Sequence, residues 1–123
     1  MTVALRAVSP ANRALLRTWL PAAAAAAGYA GDAEALTEPR AGHETRIIER
    51  DGVVTGVICW RQERGNRDAI IELVATPPAH ARRGSGLQAA ALVQGVLRDA
   101  GVRRIYAPAS AAHGISVYFW IRL

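Results

Sequence analysis

The stretch Ile70-Ile71-Glu72-Leu73-Val74-Ala75-Thr76-Pro77-Pro78-Ala79-His80-Ala81-Arg82-Arg83-Gly84-Ser85-Gly86-Leu87 reads as a strand, a loop and the start of a helix. The near-continuous hydrophobicity of Ala69 to Thr76 predicts a central strand, covered on both faces. Gly84 and Gly86 let the backbone approach an anion with no Cβ in the way. The first N–H groups of the following helix have no intrahelical partner and carry the positive end of its dipole. A strand, an arginine-flanked Gly-x-Gly and a helix therefore make a phosphate-binding device, to which Arg82 and Arg83 add charge. The same glycines also suit an ordinary tight turn.

Upstream, Thr45 to Arg50 and Val53 to Gln62 are rich in Ile, Val and Trp and flank Asp51-Gly52, a strong hairpin signal. With a second turn at Gly65 to Asp68, they predict an antiparallel meander that ends on the central strand. Before it, residues 2 to 7 suit a short strand, and Ser9-Pro10 gives a helix start with serine at N-cap and proline at N1. Leu15, Leu16, Trp19 and Leu20 recur at helical spacing, and Pro21 is expected to kink or restart that helix before Ala22 to Ala27. Asp32 is placed to cap a further short helix through Leu36. Downstream, Leu87, Ala90, Ala91, Val93, Val96 and Leu97 mark a crossover helix ending near Gly101. A strand over Val102 to Ala107 and a last helix from Gly114 to Leu123 complete the order.

The 123 residues carry a net charge of +5, with 51% hydrophobic and 20% charged residues, which suits a single soluble domain over 1–123. No run spans a bilayer and the start lacks the regions of a signal peptide, so no membrane partner and a cytoplasmic location are expected. All fifteen basic residues are arginine, scattered from Arg6 to Arg122 without the contiguous stripe that nucleic-acid binding uses. Cys59 lies in an apolar strand and reads as core. His43 and His80 have no partner at metal-ligand spacing and read as exposed.

From Ile70 to Leu87 the chain resembles the acetyl-CoA-binding segment of the GNAT superfamily, whose signature is Gln/Arg-x-x-Gly-x-Gly/Ala. Here the signature spans Ala81 to Gly86, with Ala81 where the family has Gln or Arg. Phe119-Trp120-Ile121-Arg122-Leu123 looks like that family's last helix. The resemblance implies a mixed α/β (α+β) fold, a central mostly antiparallel sheet flanked by helices. It also implies N-acetyltransferase activity: a primary amine attacks the acetyl-CoA thioester directly, in a splay between the fourth and fifth strands, with acetyl-CoA as acetyl donor and no metal. Val74, Ala75 and Thr76 would hold the pantetheine arm and supply a main-chain oxyanion donor. Arg82, Arg83, Gly84, Ser85, Gly86 and Leu87 would hold the pyrophosphate. His113 falls where the family often has a CoA-contacting asparagine.

Catalysis needs a base for the ammonium and an acid for the thiolate. Glu72, the only acid in the central strand, is the candidate base; by alternation it should share a face with Val74 and Thr76. It also matches a position where some family members carry a base glutamate. Its other reading is an ion pair with an arginine at the sheet surface. The family's tyrosine acid aligns with Trp120, which cannot protonate a thiolate. Tyr118 is the candidate phenol, although an ideal helix puts it roughly 200° away from Trp120, and packing is its other reading.

In this fold the acceptor is selected by the region here spanning Trp19 to Glu44. Tyr29, Asp32, Glu34, Glu38, His43 and Glu44 make it acidic and aromatic and suggest a cationic amine. The resemblance also implies two further strands after Leu123. Without them the fifth strand is an exposed edge, so the domain is expected to be incomplete or to borrow a strand from a partner or second copy. Two other functions fit the residues: a catalytically silent acyl-CoA-binding or regulatory module, and a basic interaction or nucleic-acid-binding protein.

Overall fold

The chain runs β1 (Val3–Ala7), α1 (Pro10–Ala26), a 3-10 turn (Glu34–Thr37), β2 (His43–Arg50), β3 (Val53–Gln62), β4 (Asp68–Ala75), α2 (Ser85–Asp99), β5 (Arg104–Ser110) and β6 (Ser116–Arg122). The computed structural model describes residues 3–26, 29, 31–38, 40–62, 67–77, 85–110 and 116–122; for 85–88, 90, 106–110 and 116–122 it describes the backbone alone. The six strands form one sheet in sequence order, and all neighbours are antiparallel except β4 and β5.

The meander follows its turn chemistry. Asp51 and Gly52 have φ of 52° and 81°, the left-handed pair that a two-residue I′ turn demands. At the first helix, the Asn12 N–H donates to Ser9 Oγ at 3.2 Å, so Ser9 caps α1 as expected. Pro21 does not break that helix. A proline inside a helix removes one hydrogen bond and crowds the preceding turn, but Leu16, Leu20 and Ala24 are all buried at four-residue spacing on either side of it. Packing of that stripe outweighs the local penalty. Leu15, on the adjacent face, is exposed. The Glu34 N–H donates to Asp32 Oδ1 at 3.0 Å, so the expected short helix is realised as the 3-10 turn.

Two apolar clusters cover the two sheet faces. Ile48, Ile58, Trp60, Ala69 and Ile71 pack with Ala89, Val93 and Leu97 of α2. Ile47, Val57, Cys59, Leu73 and Ala75 pack with Leu16, Leu20 and Ala24 of α1. In a regular strand Ala69, Ile71, Leu73 and Ala75 would share one face. They do not, because Cys59 pairs with Leu73 while Trp60, the next residue of β3, pairs with Ile71. Glu72 is the extra residue of a β-bulge, and the bulge exchanges the faces of β4. Val74 consequently packs toward α2, so the expectation that Glu72 and Val74 share a face is overturned.

The last element departs most from expectation. Residues 116–122 form a strand and not a helix, paired with β5 from Arg104↔Arg122 to Ser110↔Ser116. Val117, Tyr118, Phe119, Trp120 and Ile121 are β-branched or aromatic, which disfavours helix and suits a strand, and the open side of β5 offers the backbone partners. This chain's own β6 therefore covers the fifth strand, and no borrowed strand is needed there. The 200° offset that a helix would put between Tyr118 and Trp120 also does not apply. No helix among the described residues is long and apolar enough to cross a membrane.

Candidate active site

The parallel ladder between β4 and β5 contains only Asp68↔Arg104, Ala69↔Ile105 and Ile70↔Tyr106. It is tied at its start: Arg104 Nε donates to Asp68 Oδ1 at 3.0 Å, and the Arg103 N–H donates to the Arg67 carbonyl at 2.7 Å. Beyond Ile70 the strands part. β4 continues through Ala75 with β3 on one side only, while β5 continues against β6. The result is a cleft at the C-terminal end of the parallel pair, the end at which α2 begins. Open α/β sheets bind ligands at such ends, where main-chain N–H groups lack partners and the helix dipole is positive.

Of the residues expected to hold a CoA-like ligand, Val74, Ala75 and Thr76 lie on or just past this free stretch of β4. The backbone of Ser85, Gly86 and Leu87 forms the first turn of α2. Arg82, Arg83, Gly84, His80 and His113 lie outside the described residues. Tyr118 sits on β6 opposite Pro108, with Trp120 opposite Tyr106.

Because of the bulge, the Glu72 side chain reaches the α1 side of the sheet. There Glu72 Oε1 lies 3.0 Å from His43 Nδ1, and both side chains are partly buried, at 21% and 28% exposure. A carboxylate oxygen can only accept, so the His43 Nδ1–H donates to it. The expected arginine partner is thus replaced by a histidine, and His43, expected to be exposed, is half-buried at the centre of the site. Its own sequence context held one signal: it alternates in phase with Thr45 and with the buried Ile47. Its partner is 29 residues away.

A groove of about 290 Å³ runs beside this pair between α1, the 3-10 turn and β2, and is lined by Arg13, Leu36, Glu38, Arg40, His43 and Arg46, among others. A narrow extension of it, sharing Leu36, Glu38, Arg40 and His43, reaches Glu72 and Cys59. The Thr45 hydroxyl donates to the Leu36 carbonyl, which fixes the 3-10 turn to β2 and shapes the groove wall. Burial raises the Tyr29 phenol, with the Glu72 charge adding to the effect, so its hydroxyl stays protonated in the neutral range.

Burial also pushes the Cys59 thiol from 9.0 to about 11, a nearby Thr45 hydrogen bond opposing and the Glu72 charge assisting. The native state therefore favours the neutral thiol, and this contribution to stability is intact below pH 9 and lost as pH rises from 9 toward 11. Cys59 is 2% exposed, and the thiolate is the nucleophile. At pH 8 the native protein should resist maleimide labelling, with complete labelling only in denaturant; rapid native labelling by mass spectrometry would contradict the packing.

The model of the acetyltransferase (GNAT) family matches residues 12–120. The chain belongs to this family. Membership implies acyl transfer from acyl-CoA. Similar solved structures include an acetyltransferase from Thermus thermophilus, 16% identical with a TM-score of 0.73, covering 100% of this chain and 98% of that one. A GNAT family acetyltransferase from Brucella melitensis, in complex with acetyl-CoA, is 20% identical with a TM-score of 0.68 over 98% of this chain and 88% of that one. N-acetylglutamate synthase from Neisseria gonorrhoeae, complexed with coenzyme A and N-acetyl-glutamate, is 19% identical with a TM-score of 0.68 over 89% of this chain, which spans only 26% of that protein. At these identities the likeness is one of fold. No curated protein matches the sequence significantly.

Proposed function

We propose that this GNAT member is an N-acetyltransferase that moves the acetyl group of acetyl-CoA to a primary amine by direct attack. The observation that carries the reading is the β4–β5 cleft, which leaves the backbone from Ile71 to Ala75 without a ladder partner on the β5 side among the described residues. The pantetheine arm pairs with that edge, and a main-chain N–H near Val74 to Thr76 polarises the thioester carbonyl. The pyrophosphate rests on the first turn of α2 at Ser85 to Leu87, with Arg82, Arg83 and Gly84 before it. The acetyl-CoA complex of the Brucella melitensis protein supports the choice of donor.

The acceptor approaches along the groove beside His43. Its ammonium loses a proton to Glu72 Oε, the free amine forms a C–N bond with the thioester carbonyl, and the C–S bond breaks; the nitrogen gives up its second proton and the CoA thiolate gains one, relayed by water or by a phenol such as Tyr118. His43 donates to Glu72 and holds it in place, a positioning role.

Calorimetric titration with acetyl-CoA tests the donor half. Saturable binding with one molecule per chain is expected, together with CoA thiol release once an acceptor amine is present. Absence of acetyl-CoA binding would remove the proposal.

A further inference from the structure

We propose that the acceptor is a small amine that also bears a carboxylate, held by Arg13 and Arg40 while its amine faces Glu72. The assignment rests on the acyl-transfer reading above and adds the substrate class. The Trp19 to Glu44 stretch is acidic as sequence, but the folded groove is not. Asp32 and Glu34 do not line it, and Glu44 Oε2 is taken by Arg46 Nη1 at 2.6 Å. Arg46 also lies over the Trp60 ring, 5.8 Å from its centroid.

Among the described residues, two arginines on the groove have no such partner. Arg13 arrives from α1, and its Nε is buried without a hydrogen-bond acceptor among the described residues. Arg40 arrives from the segment before β2 and forms no ion pair among the described residues. A guanidinium is always charged, and its planar fork matches a carboxylate. A buried donor left unmade costs stability unless something completes it. Glu38 lines the same groove, also without an ion pair among the described residues, and suits an ammonium. Arginines facing the groove together with Glu38, and with Glu72 at its narrow extension, match a zwitterion. A polyamine would set its second ammonium against Arg13 and Arg40. At about 290 Å³ the groove is at the small end of ligand sites, which suits a free amino acid better than a peptide or an aminoglycoside.

The test compares alanine, serine, leucine and phenylalanine with their methyl esters and their decarboxylated amines, by kcat/KM with acetyl-CoA and, independently of turnover, by calorimetric binding. At least one acid should exceed its ester and its amine by tenfold or more, mainly through KM. Arg13→Gln and Arg40→Gln should each bring that ratio toward one, Arg13→Lys should restore part of it, and Arg17→Gln, on the exposed face of α1, should leave it intact. Thermal melts verify that each variant folds. Equal use of acids, esters and amines, a preference for diamines, or a ratio unchanged in both glutamine variants overturns the assignment. Failure to bind acetyl-CoA while acids still bind in an Arg13-dependent way would instead remove the transfer reading and leave the anion site standing.

Discussion

Glu72→Gln is expected to lower kcat at neutral pH by about 100-fold or more, within the range of about 10²–10⁴ that general base catalysis contributes, with acetyl-CoA affinity within twofold of the parent. Glutamine keeps the size of glutamate and can still accept from His43 Nδ1–H, so the 3.0 Å contact survives while proton acceptance does not. In the proposed arrangement acetyl-CoA lies in the β4–β5 cleft while the Glu72 side chain stands on the α1 side of the sheet beside His43, which is why the two effects should separate. The deficit should narrow as pH rises and solvent deprotonates more of the amine. A rate within twofold of the parent at pH 7 would mean that solvent removes the proton and that Glu72 only packs. A parallel loss of acetyl-CoA binding would point to a disturbed strand.

Gly56→Ala should be strongly damaging for a single added methyl group. A Cβ at Gly56 would stand 2.7 Å from the Ala75 carbonyl oxygen and 3.0 Å from Thr76 Cγ2. The carbonyl belongs to the backbone at the end of β4 and cannot swing aside as a side chain would. Relief requires β3 and β4 to separate at the mouth of the cleft. Overpacking of this kind costs about 1–3 kcal/mol, or roughly 3–15 °C in Tm for a chain of this length. Acetyl-CoA affinity should fall as well, because the strand ends that would separate form the wall of the cleft. Gly95→Ala is the control: a Cβ there meets nothing within 4 Å, and alanine favours a helix, so stability should hold or rise. If both variants melt alike, the close approach at Gly56 is not what requires glycine.

The local devices were legible in the residues. Asp51-Gly52 specified the hairpin, Ser9-Pro10 the start of α1, and the apolar run of β4 its central place, because turn geometry, capping and burial on both faces each leave a mark in a few adjacent positions. The final strand, β6, carries a local signal that opposes the resemblance. Resemblance favoured a helix over 114–123, while the local run from Val117 to Ile121 already favoured a strand. Pro21 shows the opposite balance, a strong local signal overridden by the packing of Leu16, Leu20 and Ala24.

The candidate site divides along the same line. Glu72 as the lone acid of the apolar run Ala69 to Thr76 and the Gly-x-Gly before α2 were visible as residues in a pattern. Which face Glu72 serves was not, because a bulge belongs to the pairing of two strands, here the step from Cys59↔Leu73 to Trp60↔Ile71, and no spacing within β4 encodes it. That step sends Glu72 to His43 and to the arginine-lined groove, and it sends Val74 to the other side. By itself the sequence determined the elements, their order and the chemistry available along them. Tertiary structure alone decided where the β4–β5 ladder stops and which distant side chains meet, because those outcomes depend on contacts between segments many residues apart.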